Sequence, residues 1–139
     1  MAKVLRELGD EAGRIYLLIR PKRRADGRVV APQERLDGEL FAGTLFQSLR
    51  AAGPERWQRL RAKIVAVPFH PGQPQLGLGP QDWEHLAGQV DTIFNSAATV
   101  VFDEPLDVSV QANARGPLAL LELARAAGRR VDFVHVSTA

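Results

Sequence analysis

Apolar residues in this chain gather into four short unbroken runs, separated by stretches where they recur about once per helical turn. Ile15-Tyr16-Leu17-Leu18-Ile19 follows Gly13 and is closed by Pro21. Five consecutive apolar, β-favouring residues bounded by breakers predict a strand buried on both faces. Ile64-Val65-Ala66-Val67, stopped by Pro68, repeats the pattern. Val90-Asp91-Thr92-Ile93-Phe94 and Val131-Asp132-Phe133-Val134-His135-Val136 give a third and a fourth run. Strands of this kind belong to parallel sheets with helices on both faces.

The stretches between them carry helical signals. From Pro32-Gln33-Glu34-Arg35, apolar residues at Leu36, Leu40, Phe41, Leu45, Phe46 and Leu49 fall on one face, and the pattern ends at Gly53-Pro54. Pro80-Gln81-Asp82-Trp83-Glu84-His85-Leu86 puts proline and acidic residues at a first turn and stops at Gly88. A long helical pattern runs from Pro105 to Ala127, includes Leu118, Leu121 and Leu123, and closes with Gly128. Pro117 lies inside it, so it is either one kinked helix or two pieces.

Four strands alternating with three helical stretches are the grammar of a doubly wound α/β sheet. The chain opens on a helix-like stretch, Ala2-Lys3-Val4-Leu5-Arg6-Glu7-Leu8, and stops at Ala139 just past a strand. Ligands of open α/β sheets bind outside the carboxyl ends of the strands. The sequence therefore reads as a fragment, its sheet incomplete at both ends, and low solubility is expected of a core exposed in this way.

Composition narrows the function classes. The 139 residues contain no cysteine, which excludes disulfides and thiolate-bound metal, and His70, His85 and His135 are too far apart for a local ligand motif. No metal site is expected. No apolar run approaches the roughly 18 residues needed to span a bilayer, and the first residues, Met1-Ala2-Lys3-Val4-Leu5-Arg6-Glu7, form no signal core. A cytosolic chain is the default expectation. The net charge of +2 is the balance of +6 over residues 1–69 and −4 over residues 70–139. The densest cluster, Arg20-Pro21-Lys22-Arg23-Arg24 with Arg28 close behind, suits either a phosphate ligand or a solvated loop. It lacks interleaved aromatics, so extended nucleic-acid binding is not expected.

Several blocks then occur in a specific order. They are Tyr16-Leu17-Leu18-Ile19-Arg20-Pro21-Lys22, Gln33-Glu34-Arg35-Leu36, Lys63-Ile64-Val65, Leu76-Gly77-Leu78, the run from Ile93 to Leu106, Asn113-Ala114-Arg115-Gly116, and Phe133-Val134-His135-Val136-Ser137-Thr138-Ala139. Together they resemble the N-terminal NAD(P)-binding domain of alcohol-forming fatty acyl-CoA reductases, in the extended short-chain dehydrogenase/reductase superfamily. The resemblance covers about residues 3–139 and implies one partial Rossmann-like domain, residues 1–139. It implies an NADPH-dependent reductase fragment that takes a long-chain acyl-CoA or other acyl thioester through the aldehyde to a primary alcohol. A lipid substrate makes peripheral membrane association of the parent protein plausible, and oligomeric state is left open.

The resemblance also assigns roles. Arg20, at the carboxyl end of the second Rossmann strand, stands where an acidic residue would favour a free ribose 2′-OH and an arginine a 2′-phosphate. NADPH is therefore the expected cofactor, with Lys22, Arg23 and Arg24 as supporting charge; the alternative is a solvated strand cap. Ala97 and Ala98 would let the cofactor approach the backbone, or simply pack. Asn95 or Thr99 would bond in the same loop, or serve as turn residues. Asn113 would help position the cofactor side of the site, or be a polar helix residue. Thr138, preferred over Ser137, would be the catalytic hydroxyl that orients the substrate carbonyl beside a Tyr-Lys pair. His135 reads as a packing histidine.

The sequence departs from the family in three main places. No Gly-rich pyrophosphate turn precedes the first helix, and no Tyr-x-x-x-Lys follows the last strand, so the chain alone is expected to be inactive. Phe69-His70 replaces the usual Gly-Asp after the second strand, leaving His70 to meet adenine. Pro117 also replaces the usual Thr. The competing readings are a thioester reductase domain of a carboxylic acid reductase or peptide synthetase, and a non-catalytic nucleotide-binding or scaffolding piece.

Overall fold

The structure of the chain is a computed structural model that describes residues 2–99, 101 and 103–136. It comprises two compact units, Met1–Phe69 and His70–Ala139. Each contains one parallel strand pair joined by helical segments, the βαβ arrangement of a partial Rossmann-like α/β fold.

In the first unit, helix α1 (Ala2–Leu8) leads to strand β1 (Ile15–Ile19). Strand β4 (Ile64–Pro68) pairs with β1 in parallel, from Ile15 opposite Ile64 to Ile19 opposite Pro68. The basic cluster between them is not a plain loop. Strands β2 (Lys22–Arg23) and β3 (Val29–Val30) form a small antiparallel hairpin. Its turn uses Gly27 at φ 83° and the Asp26 carboxylate, which accepts the Arg28 N–H at 2.9 Å. Asp-Gly beside two β-branched valines is a strong hairpin signal, masked here by the run of cations.

The Pro32–Leu49 pattern does not make one helix. It divides into α2 (Pro32–Arg35), a π-helical stretch Leu36–Phe41, a 3-10 turn Thr44–Phe46 and α3 (Gln47–Ala51). The spacing explains the division, because Leu36, Phe41 and Phe46 recur every five residues, and a π-turn brings i and i+5 together. All three are buried. Gly53-Pro54 does not merely end a helix; Pro54 opens α4 (Pro54–Ala62), where its missing N–H costs nothing. Phe41 meets Phe46 and Trp57 edge-on at 5.5 and 5.1 Å. With Leu5, Ile19, Leu36, Leu49, Leu60 and Ile64 these rings close a core.

Two close approaches tie α1 into this core. At Gly9 a Cβ would collide with the Leu5 carbonyl oxygen and come within 2.6 Å of Leu60 Cδ2. Lys63 Nζ donates to the carbonyls of Gly9, Asp10 and Ala12 at 2.9, 3.0 and 2.7 Å, satisfying acceptors left open where α1 ends.

The second unit begins with a turn, Pro74–Gly77, in which Gln75 and Leu76 take φ of 50° and 60°. It is closed by the His70 N–H donating to Leu76 O at 2.8 Å. Helix α5 (Pro80–Gln89) buries Trp83, Leu86 and Ala87. Strand β5 (Thr92–Asn95) pairs in parallel with β6 (Asp132–His135), with Asn95 opposite His135. Arg129 fastens the turns here, donating to the carbonyls of Ala87, Gly88 and Val90.

The expectation of burial on both faces is not met in this pair. Ile93 and Asn95 are buried, whereas Phe94 is 49% and Val134 41% exposed. The helix between them packs on β5 and covers one face; the apolar residues for a second covered face are present but uncovered among the described residues.

The Pro105–Ala127 pattern resolves into pieces. Helix α6 (Leu106–Val110) passes through a π-turn, Gln111–Arg115, into α7 (Gly116–Ala126). Pro117 falls at the start of α7, so it opens that helix and does not kink its interior. Having no N–H, it cannot bond the Asn113 carbonyl four residues back, and its ring would crowd that oxygen. The π-turn removes the conflict: the Gly116 N–H donates instead to Gln111 O.

Candidate functional site

The sequence-identified residues fall in both units. In the first, Arg20 follows β1 directly and is exposed. Its carbonyl accepts the Arg35 Nη1 at 2.6 Å, which fixes the backbone. Its guanidinium has no partner among the described residues, and neither has that of Arg24. The neighbouring cations are engaged: Lys22 reaches Glu39 at 3.4 Å, Arg28 holds Glu34 at 2.9 Å, and Arg23 contacts the Gly27 carbonyl at 3.5 Å. The cluster thus presents two unengaged guanidinium groups on a hairpin framework, with Lys22 drawn toward a carboxylate.

Three carboxylates of this unit are held below their ordinary range. A hydrogen bond from Arg56 lowers Asp10, bonds from Gln33 and then Arg61 lower Asp37, and a bond from Arg35 lowers Glu39. A cavity of about 290 Å³ opens beside Asp37, lined by that residue with Phe41, Ala42, Arg50, Trp57 and Arg61. Its cations are already committed, Arg61 to Asp37 at 2.7 Å and Arg50 to the carbonyls of Phe41 and Gly43. None of the candidate cofactor or catalytic residues named from the sequence lines it.

The second unit gathers most of the others. Asn95 is the buried polar side chain among the described residues, 3% exposed at the end of β5. Its Oδ1 accepts the Ala97 N–H at 3.3 Å, and its Nδ2 lies 3.0 Å from Nδ1 of His135 on the neighbouring strand. Asn113, on the π-turn, grips Thr99 through both backbone groups: its Oδ1 accepts the Thr99 N–H at 2.8 Å, and its Nδ2 donates to Thr99 O at 3.2 Å. Thr99 Oγ1 in turn accepts the Val101 N–H at 3.5 Å.

Ser96-Ala97-Ala98 is therefore a short exposed segment held at one end by Asn95 and at the other by Asn113. Both amides are spent on the protein. They shape the loop, and what the loop offers a ligand is backbone flanked by small side chains. Pro117 contributes at one remove, because the π-turn that it requires carries Asn113.

His135 is not a packing residue. It is exposed, and its ring is hydrogen-bonded to Asn95. It shares the strand face of Phe133, but the cover ends before it: Phe133 is partly buried and His135 is exposed. His70 is half-buried at the head of the Pro74–Gly77 turn, where a Cβ at Gly77 would meet the Gln73 side-chain oxygen at 2.8 Å and the His70 Cβ and ring at 3.0 Å. Ser137 and Thr138 lie outside the described residues. Among the described residues, no group of His, Asp and Glu side chains is placed to hold a metal, and no helix is long and apolar enough to cross a membrane.

The first unit thus presents an exposed guanidinium at the end of a parallel strand, and the second, taken by itself, a small-residue loop at the end of another; nucleotide sites of α/β sheets use features of both kinds. Fatty acyl-CoA reductase 1 of Rattus norvegicus is 37% identical over 125 residues, covering 90% of this chain and 22% of the relative. The chloroplastic fatty acyl-CoA reductase 2 of Arabidopsis thaliana is 34% identical over 138 residues, covering 99% and 21%. The chain thus spans about a fifth of the length of these relatives. Among solved structures, the terminal R domain from the myxalamid PKS-NRPS biosynthetic pathway matches with a TM-score of 0.68 and 29% identity, covering 99% of this chain and 31% of that one. The family model for the male sterility protein, NAD_binding_4, matches residues 1–139, and the chain belongs to this NAD-binding family.

Proposed function

We propose that the chain is the nucleotide-binding part of an NADPH-dependent reductase acting on a long-chain acyl thioester, acyl-CoA in the first instance, and carrying it through the aldehyde to a primary alcohol. Residues 1–139 would serve as a partial Rossmann domain of that enzyme. The unpartnered Arg20 guanidinium after β1 carries the choice of NADPH. A planar fork with free donors grips a 2′-phosphate with two bonds, while a free ribose hydroxyl gives it little. Lys22, drawn to Glu39 at 3.4 Å, adds field but is not the principal ligand.

The bound nicotinamide would supply the hydride. Within this reading Ala97 and Ala98 admit the cofactor against the backbone after β5, and Asn95, Thr99 and Asn113 hold that backbone in place. His70 is assigned to the adenine side. Thr138, or in its place Ser137, would orient the substrate carbonyl by hydrogen bonding. The likeness to the myxalamid R domain supports a second reading, in which the thioester arrives on a carrier domain instead of coenzyme A.

Calorimetric titration of the chain and its Arg20→Ala variant with NADPH and with NADH tests the cofactor. The wild-type chain is expected to prefer NADPH, and the variant to lose about tenfold or more of that preference while its NADH affinity stays put, as for one charge-assisted contact. An unchanged preference would remove Arg20 from the phosphate site. Failure of either nucleotide to bind would favour the scaffolding reading.

A further inference from the structure

The contacts of Asn95 determine more than its own orientation. A backbone N–H can only donate, so the amide atom facing Ala97 N must be the oxygen. The atom facing His135 is then Nδ2, which can also only donate. Nδ1 of His135 must therefore be the acceptor, and the ring proton sits on Nε2. The other neutral tautomer and the imidazolium both put a hydrogen on Nδ1, against the amide hydrogens. To accept such a hydrogen Asn95 would have to flip, turning its NH₂ on the Ala97 N–H.

We infer that His135 is a positioning residue: as the neutral Nε2–H tautomer it locks the Asn95 amide and, through it, the Ala97 backbone at the start of the loop proposed to receive the nucleotide. The register supports this, since Asn95 and His135 are direct partners on parallel strands and Val136 N donates to Asn95 O at 2.9 Å. The amide is buried while the ring is exposed, so the surface histidine holds the interior group by its inner edge. The link to the nucleotide rests on the function proposed above; the tautomer and the lock do not.

Two measurements separate these layers. Long-range ¹H–¹⁵N correlation on the chain should show Nδ1 of His135 unprotonated and Nε2 protonated. In Asn95→Asp, a carboxylate accepts from both sides, so the tautomer should invert to Nδ1–H. His135→Leu should shift the Ala97 amide resonance, and His135→Asn, which keeps an acceptor near the Nδ1 position, should restore it. NADPH affinity should fall about tenfold in His135→Leu and return to within about threefold of wild type in His135→Asn, the scale of one buried hydrogen bond.

A protonated Nδ1 in the wild type, or an Ala97 resonance indifferent to His135→Leu in a folded chain, overturns the lock. A correct tautomer with equal NADPH affinity in all variants overturns its role in binding. If no nucleotide binds even to the wild type, the proposed function fails while the lock is still decided by the resonances. His135 is exposed, so its substitutions spare the core, and Asn95→Asp gives an independent readout if one variant misfolds.

Discussion

The two units have the same βαβ plan and opposite characters. The first buries Leu5, Leu36, Phe46 and Leu60 almost completely, around rings that meet edge-on, and leaves only Leu8 and Val29 exposed among its described large apolar side chains. In the second, Phe94, Val101, Leu106, Val108, Val110, Leu118, Leu121, Val134 and Val136 are all 40% exposed or more. Charge divides the same way: the first unit carries +6, the second −4, and among the described residues six of the seven ion pairs lie in the first. The first unit is thus closed around its core, while the second buries Leu76, Trp83, Leu86 and Leu123 but leaves far more apolar surface open and directs part of its polar contacts to a loop. A parallel strand pair does not guarantee a closed core; that depends on how many faces its own helices cover.

The contrast is measurable because each unit has one tryptophan, Trp57 in the first and Trp83 in the second. The largest effect should come from Phe46→Ala, which empties a site that is 2% exposed between Phe41 and Trp57. It should cost about 3–5 kcal/mol, read as a lower urea midpoint in a Trp83→Phe background. Leu121→Ala, at a position 43% exposed, should cost well under half of that when followed through Trp83. Equal losses at the two positions would mean that the apolar surface of the second unit is covered in solution, and the comparison would collapse.

Asn113→Ala sharpens it at the site. Both bonds to Thr99 disappear, and the Thr99 N–H and C=O are left to find water. The loss should be about 1–2 kcal/mol, confined to the second unit. Hydrogen exchange should speed at the Thr99 amide and leave the β1 amides unchanged. Uniform acceleration would show instead that Asn113 supports the whole fold.

Much of this architecture was legible in the sequence, and the parts that were not share physical causes. The four strands could be read because breakers bound continuous apolar runs. Helix α4 escaped notice because only Trp57 and Leu60 mark its apolar face among Arg56, Arg59 and Arg61. The π-turns escaped because a five-residue spacing looks like a loose helical one, although Pro117 in the one case and the Leu36, Phe41 and Phe46 repeat in the other were visible. Arg20 was identifiable from type and position alone. That Asn95 and Asn113 act on the backbone, and that His135 stands opposite Asn95, depends on strand register and on which way an amide faces. No linear pattern carries that information.

Acid should produce the smallest effect, and it too should separate the units. Asp10, Asp37 and Glu39, all in the first unit, are lowered from ordinary values of 3.8, 3.8 and 4.5 by Arg56, by Gln33 with Arg61, and by Arg35. A carboxylate that ionises more readily in the folded chain adds stability above its unfolded value and loses it as pH falls through the folded one. The first unit should therefore keep its full stability near neutrality and weaken below about pH 4. The Trp57 transition should move to lower urea across that range. Because these groups face solvent, the shift should be modest and should shrink further in about 0.5 M NaCl. Arg56→Gln and Arg61→Gln should flatten the pH dependence without abolishing folding, since the core beneath them stays intact. A Trp57 midpoint that does not fall between about pH 5 and about pH 3 would show that these pairs form in the unfolded chain as well, leaving the apolar core alone to hold the first unit.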